Sequence, residues 1–505
     1  MVNQRGTTIA IVGVGASGVA CFTQLISKYI ISGKTAPLAI WLFEKREELG
    51  PGLAYGTGQE GHLLNTRAGL MGIFPEEPLH FVQWAHRHRK MIESRFGLHS
   101  IHPDAYPPRM LYGCYVQAMM KRYWREAEHH GITLRKKRSE VLAAEIGDNA
   151  QVTLHTRDGS YVADFVILAT GNPKSNNFRH LNEYPEYLAS PWPSTGILST
   201  IHDKYASIGI VGSSLTAIDA MITLVENGHR GPINFFSSEG LLPRVQPPVE
   251  RHYERSVFTL SAIRRFIRKQ QRALRVKDLI RLFRAEVEQY LERRVNWAAE
   301  VRTGKAPLEL LNADIRDALS SGSVFQDVLY SLRYEADTIW NLLPMEQQQL
   351  FAKWIGTEFD INRHAIPLKN AFKLKRLLEQ QQLRVIGNSS DVRRDGNGFL
   401  LKTDDGQAYR TDFVINATGP AVAIRQMDDI PLLQQLLASG YIEEYGAGGL
   451  VADLHTMRVS RPTAGPAPFY AIGHLLVGLQ HDVNSLWFNV AQADKLTAHL
   501  VQRIP

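Results

Sequence analysis

Residues 7–20 read TTIAIVGVGASGVA and residues 206–219 read ASIGIVGSSLTAID, so a strand, a small-residue turn and a helix start occur twice in one chain. In the first copy a β-branched run from Thr8 to Val12 meets Gly13-Val14-Gly15-Ala16-Ser17-Gly18. That spacing seats a dinucleotide pyrophosphate at a helix N-terminus. Gly13 permits the tight turn, Gly15 lets the backbone approach a phosphate, and Gly18 allows the helix to close on the strand. The first N–H groups of the helix, around Ala16 and Ser17, then face the phosphates. A second strand, Leu38 to Phe43, ends at Glu44, 26 positions beyond Gly18 and placed to accept ribose hydroxyls. The usual spacing is about 20, and the turn Ser32-Gly33-Lys34 offers room for the excess.

The second copy runs Gly212-Ser213-Ser214-Leu215-Thr216-Ala217, with serine in the middle and alanine last. Both are small, so close approach and close packing survive, and a nicotinamide nucleotide is expected here; a plain strand-to-helix turn fits the same residues. The following strand, Ile233 to Phe236, ends in Ser237-Ser238-Glu239 where an arginine would match a 2′-phosphate. NADPH is therefore not selected over NADH at this point, and Arg244 is the nearest candidate to supply the charge.

A further echo joins the two halves. Residues 151–171 read QVTLHTRDGSYVADFVILATG and 399–419 read FLLKTDDGQAYRTDFVINATG. Each predicts a hairpin with an Asp-Gly turn, then a buried strand ending in Ala-Thr-Gly.

At 505 residues the chain has ample length for two to four domains. Apolar residues make up 44% and charged residues 21%, as in soluble globular proteins. Lys and Arg number 57 against 50 Asp and Glu, and the net charge of +7 suits anionic cofactors without indicating nucleic acid. Cys21 and Cys114 cannot form a disulfide framework, which points to reduced residues in a cytoplasmic protein. Met1-Val2-Asn3-Gln4-Arg5 leads straight to the first strand without room for a signal peptide, and no transmembrane segment is expected. His129 and His130 lack partners at metal-ligand spacing, so no metal is expected.

The expected fold class is α/β, with two dinucleotide-binding Rossmann-like domains and a mostly helical insertion. The first domain occupies residues 1–203 and resumes at 421–505; the second occupies 204–420 and contains the insertion at about 250–380. Within the insertion Ile263, Phe266, Ile267, Leu274 and Phe283 recur at helical intervals among many arginines. That pattern fits a helix with a solvated charged face, or one that binds a membrane surface or an anionic partner.

Two segments are richer than a scaffold requires. Gly50-Pro51-Gly52-Leu53-Ala54-Tyr55-Gly56-Thr57 precedes His62-Leu63-Leu64-Asn65-Thr66, and Tyr106-Pro107-Pro108-Arg109 leads into a helix. Asn65 fits a hydrogen bond to a flavin edge or to a reduced-flavin oxygen adduct, or a loop cap. Arg109 fits a group that binds a carboxylate or stabilises a negative flavin, or a surface ion pair.

Together GVGASG, GPGLAYGT with HLLNT, YPPRMLYGCY, the paired ATG endings, NRHAIP at 362–367 and FYAIGHLLVG at 469–478 resemble a bacterial FAD/NAD(P)-binding family. That family is related to flavin-dependent N-hydroxylating and Baeyer–Villiger monooxygenases, and its members include enzymes similar to a nitrosuccinate-forming aspartate N-monooxygenase. The resemblance covers essentially the whole chain. It implies FAD at the first turn, with Val141 touching adenine through its backbone, Gly473 lying against the FAD, and the helix around Asn484 to Ala493 aimed at the isoalloxazine. It departs at Gly473-His474, where an acidic residue usually follows the glycine. Arg363 and His364 match the insertion motif, facing substrate or nicotinamide, or forming an ion pair.

The resulting expectation is an FAD enzyme reduced by NADPH, or by NADH, that forms a flavin C4a-(hydro)peroxide and oxygenates a small amine or amino acid, with Asn65 and Arg109 as catalytic residues. The partners are that substrate and O2, and homo-oligomerisation stays open. Two alternatives stand beside it: an FAD oxidase or dehydrogenase with a vestigial nicotinamide domain, and a flavin-containing protein that binds a partner through the basic insertion.

Overall fold

The computed structural model describes residues 6–461 and 467–505; Met1–Arg5, on which the signal-peptide expectation rested, lie outside them. Contacts divide the chain into a first unit of residues 1–60, 66–174 and 420–505, and a second of residues 61–65 and 175–419.

The first unit holds a parallel sheet of five strands: β1 (Thr7–Val12), β2 (Leu38–Phe43), β3 (Thr133–Lys137), β7 (Phe165–Leu168) and β16 (Phe469–Ala471), in the order β16-β7-β1-β2-β3. β4 (Val141–Ile146), β5 (Val152–Thr156) and β6 (Gly159–Ala163) form a separate antiparallel sheet. A parallel sheet with covered faces needs apolar runs, not alternation, and Ile9, Ala10 and Ile11 of β1 are all fully buried. The helix Ala16–Ile31 packs on the helices Arg109–His129 and Leu486–Arg503. Both cysteines are free; burial pushes the Cys21 thiol up to about 12, which leaves it an inert core group.

The second unit repeats the plan. Its parallel sheet runs β11-β10-β9-β15-β8, from β8 (Tyr187–Leu188), β9 (Ile208–Val211), β10 (Ile233–Phe236), β11 (Leu383–Ile386) and β15 (Phe413–Asn416). β12 (Ser389–Asp395), β13 (Gly398–Thr403) and β14 (Ala408–Thr411) make the matching antiparallel sheet. The two similar sequence stretches are thus β5–β7 and β13–β15, with β7 paired to β1 and β15 to β9.

Contacts separate the units at 174/175, where the sequence suggested 203/204. β8 pairs in parallel with β15, and Asn416 Nδ2 donates to Asn177 O at 3.0 Å, so residues 175–203 belong to the second unit. The insertion is helical, but its expected end at 380 shifts as well. The helix Leu368–Glu379 is the crossover before β11, and its Ala371, Leu374 and Leu377 sit in the core of the second sheet. The remaining helices have a core of their own, which takes in Ile263, Leu274 and, partly buried, Phe266, Ile267 and Phe283. Arg264, Arg265 and Arg268 are exposed on the helix Leu260–Gln270, which carries Ile263, Phe266 and Ile267. Among the described residues no helix is long and apolar enough to cross a membrane.

Candidate functional site

The first glycine turn joins the end of β1 to the helix Ala16–Ile31, at the carboxyl edge of the sheet where α/β folds bind ligands. Two of its glycines are required by the fold. Gly13 has φ +91°, and a Cβ there would lie 2.3 Å from Ala169 O; a Cβ on Gly18 would lie 2.1 Å from Gly13 O. Gly15 differs. It has extended backbone (φ −74°, ψ −169°), and the nearest atom to an added Cβ is Gly52 Cα at 3.4 Å. Internal packing does not demand glycine at 15; a pyrophosphate lying on the turn would.

The rest of the turn fits the same ligand. Gly15 caps the helix without a side-chain hydrogen bond and the first helical turn carries no acid, leaving Ala16 and Ser17 to present N–H groups to an anion. The Glu44 carboxylate follows β2. Its Oε2 accepts from Val14 N at 3.0 Å and its Oε1 from Arg46 N at 3.1 Å. Each oxygen keeps a lone pair for a ribose hydroxyl. Val141, buried, begins β4 just beyond β3, whose last residue accepts from Glu44 N at 3.0 Å.

Across the turn lies a group the sequence only partly disclosed. Gly473 has φ +74°, and its N donates to Gln492 Oε1 at 2.8 Å. Asn489 Nδ2 donates to Ser17 Oγ at 3.3 Å, while Asn489 Oδ1 and Thr170 Oγ1 are buried without hydrogen-bond partners. Buried polar atoms are normally satisfied, so these two fit a polar ligand seated on the turn. Thr170 was legible only as the threonine of an Ala-Thr-Gly ending.

His474 faces into the protein. Its Nε2 donates to Ala421 O at 2.7 Å and its Nδ1 lies 3.3 Å from the Asn484 amide. Burial holds its pKa below the usual histidine range, so the ring is neutral. It therefore ties the chain together and does not replace the acidic residue usual at this position.

In the second unit, Gly212 is required in the same way as Gly13: φ is +118°, and a Cβ would lie 2.5 Å from Ala417 O. Ala217 is fully buried in the sheet core. Ser214, the counterpart of Gly15, is exposed and caps the helix Leu215–Glu226 without a side-chain hydrogen bond. Ser213 is engaged internally: its hydroxyl donates to Leu241 O at 2.6 Å and lies 3.0 Å from Ser237 Oγ, which fastens the loop after β10. Arg244 is likewise turned inward. Its Nη1 donates to Ser323 Oγ at 2.9 Å, the guanidinium lies over the Phe325 ring at 5.3 Å, and burial lowers its pKa. This orientation toward the insertion corrects the expectation that it supplies charge to a 2′-phosphate.

Asn65 and Arg109 are anchored in different units. Asn65 ends the segment 61–65, where its carbonyl accepts from Gln246 Nε2 at 3.0 Å and His62 Nε2 lies 3.0 Å from both Asp219 O and Thr223 Oγ1. Arg109 opens the helix Arg109–His129 and is 8% exposed, so it is not a surface residue; desolvation pushes the hydroxyl of the partly buried Tyr55 up to about 12, and the charge of Arg109 opposes that rise. Arg363 lies over the Tyr330 ring at 5.5 Å, and His364 Nδ1 is 3.6 Å from Asp360. Among the described residues no cluster of metal-ligating side chains occurs.

Two Rossmann-type sheets, each with its antiparallel appendage, and a helical insertion in the second define a two-domain α/β fold of dinucleotide-binding type. Residues 10–173 match a family model described as FAD-NAD(P)-binding. The uncharacterized protein YdhS of Escherichia coli (strain K12) is 24% identical over 489 residues, covering 86% of this chain and 87% of its own. The ornithine hydroxylase PvdA from Pseudomonas aeruginosa superposes over 98% of this chain and 99% of its own, with a TM-score of 0.57 at 15% identity. L-lysine 6-monooxygenase from Pseudomonas syringae does so over 99% of both chains, with a TM-score of 0.58 at 15% identity. At such identities the likeness establishes the shared fold.

Proposed function

We propose that this chain is an FAD-dependent monooxygenase, reduced by NADPH or NADH, that oxygenates the nitrogen of a small amine or amino acid. The observation that carries the reading is the recurrence of an uncapped helix N-terminus after a glycine turn in both units, on a fold shared with an ornithine hydroxylase and an L-lysine 6-monooxygenase. When bound, the flavin supplies reductive activation of O2 and the nicotinamide supplies its electrons.

The chain's own groups have assignable tasks. The first turn binds a pyrophosphate through the backbone at Gly15, Ala16 and Ser17, Glu44 accepts from a ribose, and the Val141 backbone meets the adenine. Thr170, Asn489 and the Gly473 backbone complete the wall of the flavin site. Gly212, Ser214 and Ala217 form the nicotinamide-nucleotide turn, where Ser213 acts by holding the neighbouring loop. Asn65 would donate a hydrogen bond to the flavin, and Arg109 would hold a substrate carboxylate.

Anaerobic addition of NADPH or NADH tests the reading first. Bleaching of the bound flavin, followed in air by an N-hydroxylated product from an amine or amino acid, supports it. The inward orientation of Ser213 and Arg244 favours, as a second reading, an FAD oxidase or dehydrogenase with a vestigial second fold. Flavin that neither nucleotide bleaches, while an amine does, would establish that alternative.

A further inference from the structure

Four oxidisable rings run in contact through the first unit. Tyr55 closes the short helix Gly52–Tyr55, whose Gly52 lies against Gly15 of the first turn. The Tyr55 and Tyr112 ring centroids are 4.7 Å apart, Tyr112 and Tyr115 5.4 Å, and Tyr115 and Trp84 5.5 Å. Trp84 in turn stacks on His88 at 4.7 Å, and His88 is exposed. Tyr112, Tyr115 and Trp84 are all buried.

Their polar atoms are not equivalent. Tyr112 OH and Trp84 Nε1 are buried without hydrogen-bond partners, so an electron taken from either ring leaves a cation with no base beside it. Tyr115 OH lies 2.6 Å from His80 Nδ1 and also accepts from Ile73 N at 3.2 Å. With the Ile73 N–H already donating to that oxygen, the phenol proton points to His80, and Nδ1 is the acceptor nitrogen. Burial lowers the pKa of His80, which keeps the resting imidazole neutral and able to take a proton.

We propose that Tyr115 and His80 form a redox-active pair that traps an oxidising equivalent arriving through Tyr55 and Tyr112 and discharges it through Trp84. A peroxide-derived one-electron oxidant gains one electron, and the Tyr115 ring loses it. The phenol O–H bond breaks, a new N–H bond forms at His80 Nδ1, and the products are a neutral tyrosyl radical and an imidazolium. An electron from a soluble thiol, returned by way of Trp84, restores the phenol as the proton moves back, leaving a thiyl radical and a proton in solution. Tyr470 and His499 form a comparable hydrogen bond at 2.9 Å, but the rings in contact with Tyr470 are Phe165 and His499, neither of which relays a hole as tyrosine or tryptophan does.

That the oxidant originates at a flavin rests on the function proposed above; the pair itself does not, and the test separates them. The purified protein is oxidised by a photogenerated ruthenium(III) polypyridyl complex, frozen, and examined by electron paramagnetic resonance. A tyrosyl signal is expected that narrows when the protein is grown on ring-deuterated tyrosine, is lost in Tyr115→Phe, is retained in Tyr470→Phe, and decays faster in His80→Gln. In wild-type protein, deuterium oxide should slow its formation, because the proton moves with the electron. A signal that persists in Tyr115→Phe, vanishes in Tyr470→Phe, or forms without a solvent isotope effect would overturn the pair. A normal radical in a protein whose flavin no nicotinamide nucleotide reduces would overturn the proposed function alone.

Discussion

The two small-residue turns follow the same chain path, yet they differ at the position that faces a ligand. Gly13 and Gly212 are both forced by left-handed backbone and by a carbonyl oxygen where a Cβ would sit. The middle residue is free of such demands in both: Gly15 is extended and loosely packed, and Ser214 is exposed. A glycine retained where the protein's own packing does not need it points to a ligand in close contact, whereas serine suits a ligand held less closely. The first turn is also faced by unpartnered buried acceptors on Thr170 and Asn489, while Ser213 of the second is spent on its own loop.

The largest effects should come from breaking what the turns share. Gly13→Val and Gly212→Val should each destabilise their unit by about 3–5 kcal/mol, since a β-branched side chain meets both positive φ and a backbone oxygen. Thermal unfolding resolved by unit checks this, and a mild effect at either site would show that the turns relax. Ala217→Arg belongs with these changes, because a charge forced into the sheet core unfolds the unit and says nothing specific about nucleotide binding.

Gly15→Val sharpens the contrast. Stability should fall by less than about 1 kcal/mol, or about 2–4 °C in Tm, while FAD affinity falls at least about tenfold, near 1.4 kcal/mol. A Tm loss equal to that of Gly13→Val would erase the distinction between the two glycines. At the other turn, Ser214→Glu should weaken nicotinamide-nucleotide binding by about tenfold through charge repulsion and leave FAD content unchanged. Unchanged flavin-reduction kinetics would move the nucleotide elsewhere.

Acid should separate the units as well. Burial lowers the pKa of His80, His474 and His499 in the first unit and of His229 in the second. Each is neutral when folded and takes up a proton readily only on unfolding, so its stabilisation is present above the unfolded value of 6.5 and is lost as pH falls below it. In the second unit burial raises the pKa of Glu358, which acts in the opposite sense. Hydrogen exchange at pH 7 and at about pH 5.5 should therefore show the first unit losing more protection. The smallest effect concerns Arg244. Arg244→Met should change the ratio of NADPH to NADH affinity by less than about twofold, because the guanidinium faces Ser323 and Phe325; a larger change measured by titration would put it back at the nucleotide.

Much of this architecture was written locally. The strands Leu38–Phe43 and Ile233–Phe236, the paired hairpins and the helix beginning at Arg109 lie where their residue types place them. The likeness of β5–β7 to β13–β15 disclosed the duplicated plan. Less legible were the boundary at 174/175, which depends on the two-residue strand β8 finding β15, and the role of Leu368–Glu379, whose helical period is the same inside an insertion as beside a sheet.

The sequence by itself determined the two turns and the sheets they cap, because a tight turn needs left-handed backbone and a buried strand needs an apolar run, and both needs are met by neighbouring residues. Only the tertiary structure decided where the polar side chains point. Arg244 and Ser323 stand 79 positions apart, Ser213 and Leu241 28, and Tyr115 and His80 35. The partner of a donor or acceptor is whichever group distant packing carries within about 3 Å, a distance at which hydrogen bonds are made or lost, and no local pattern of residue types encodes that proximity.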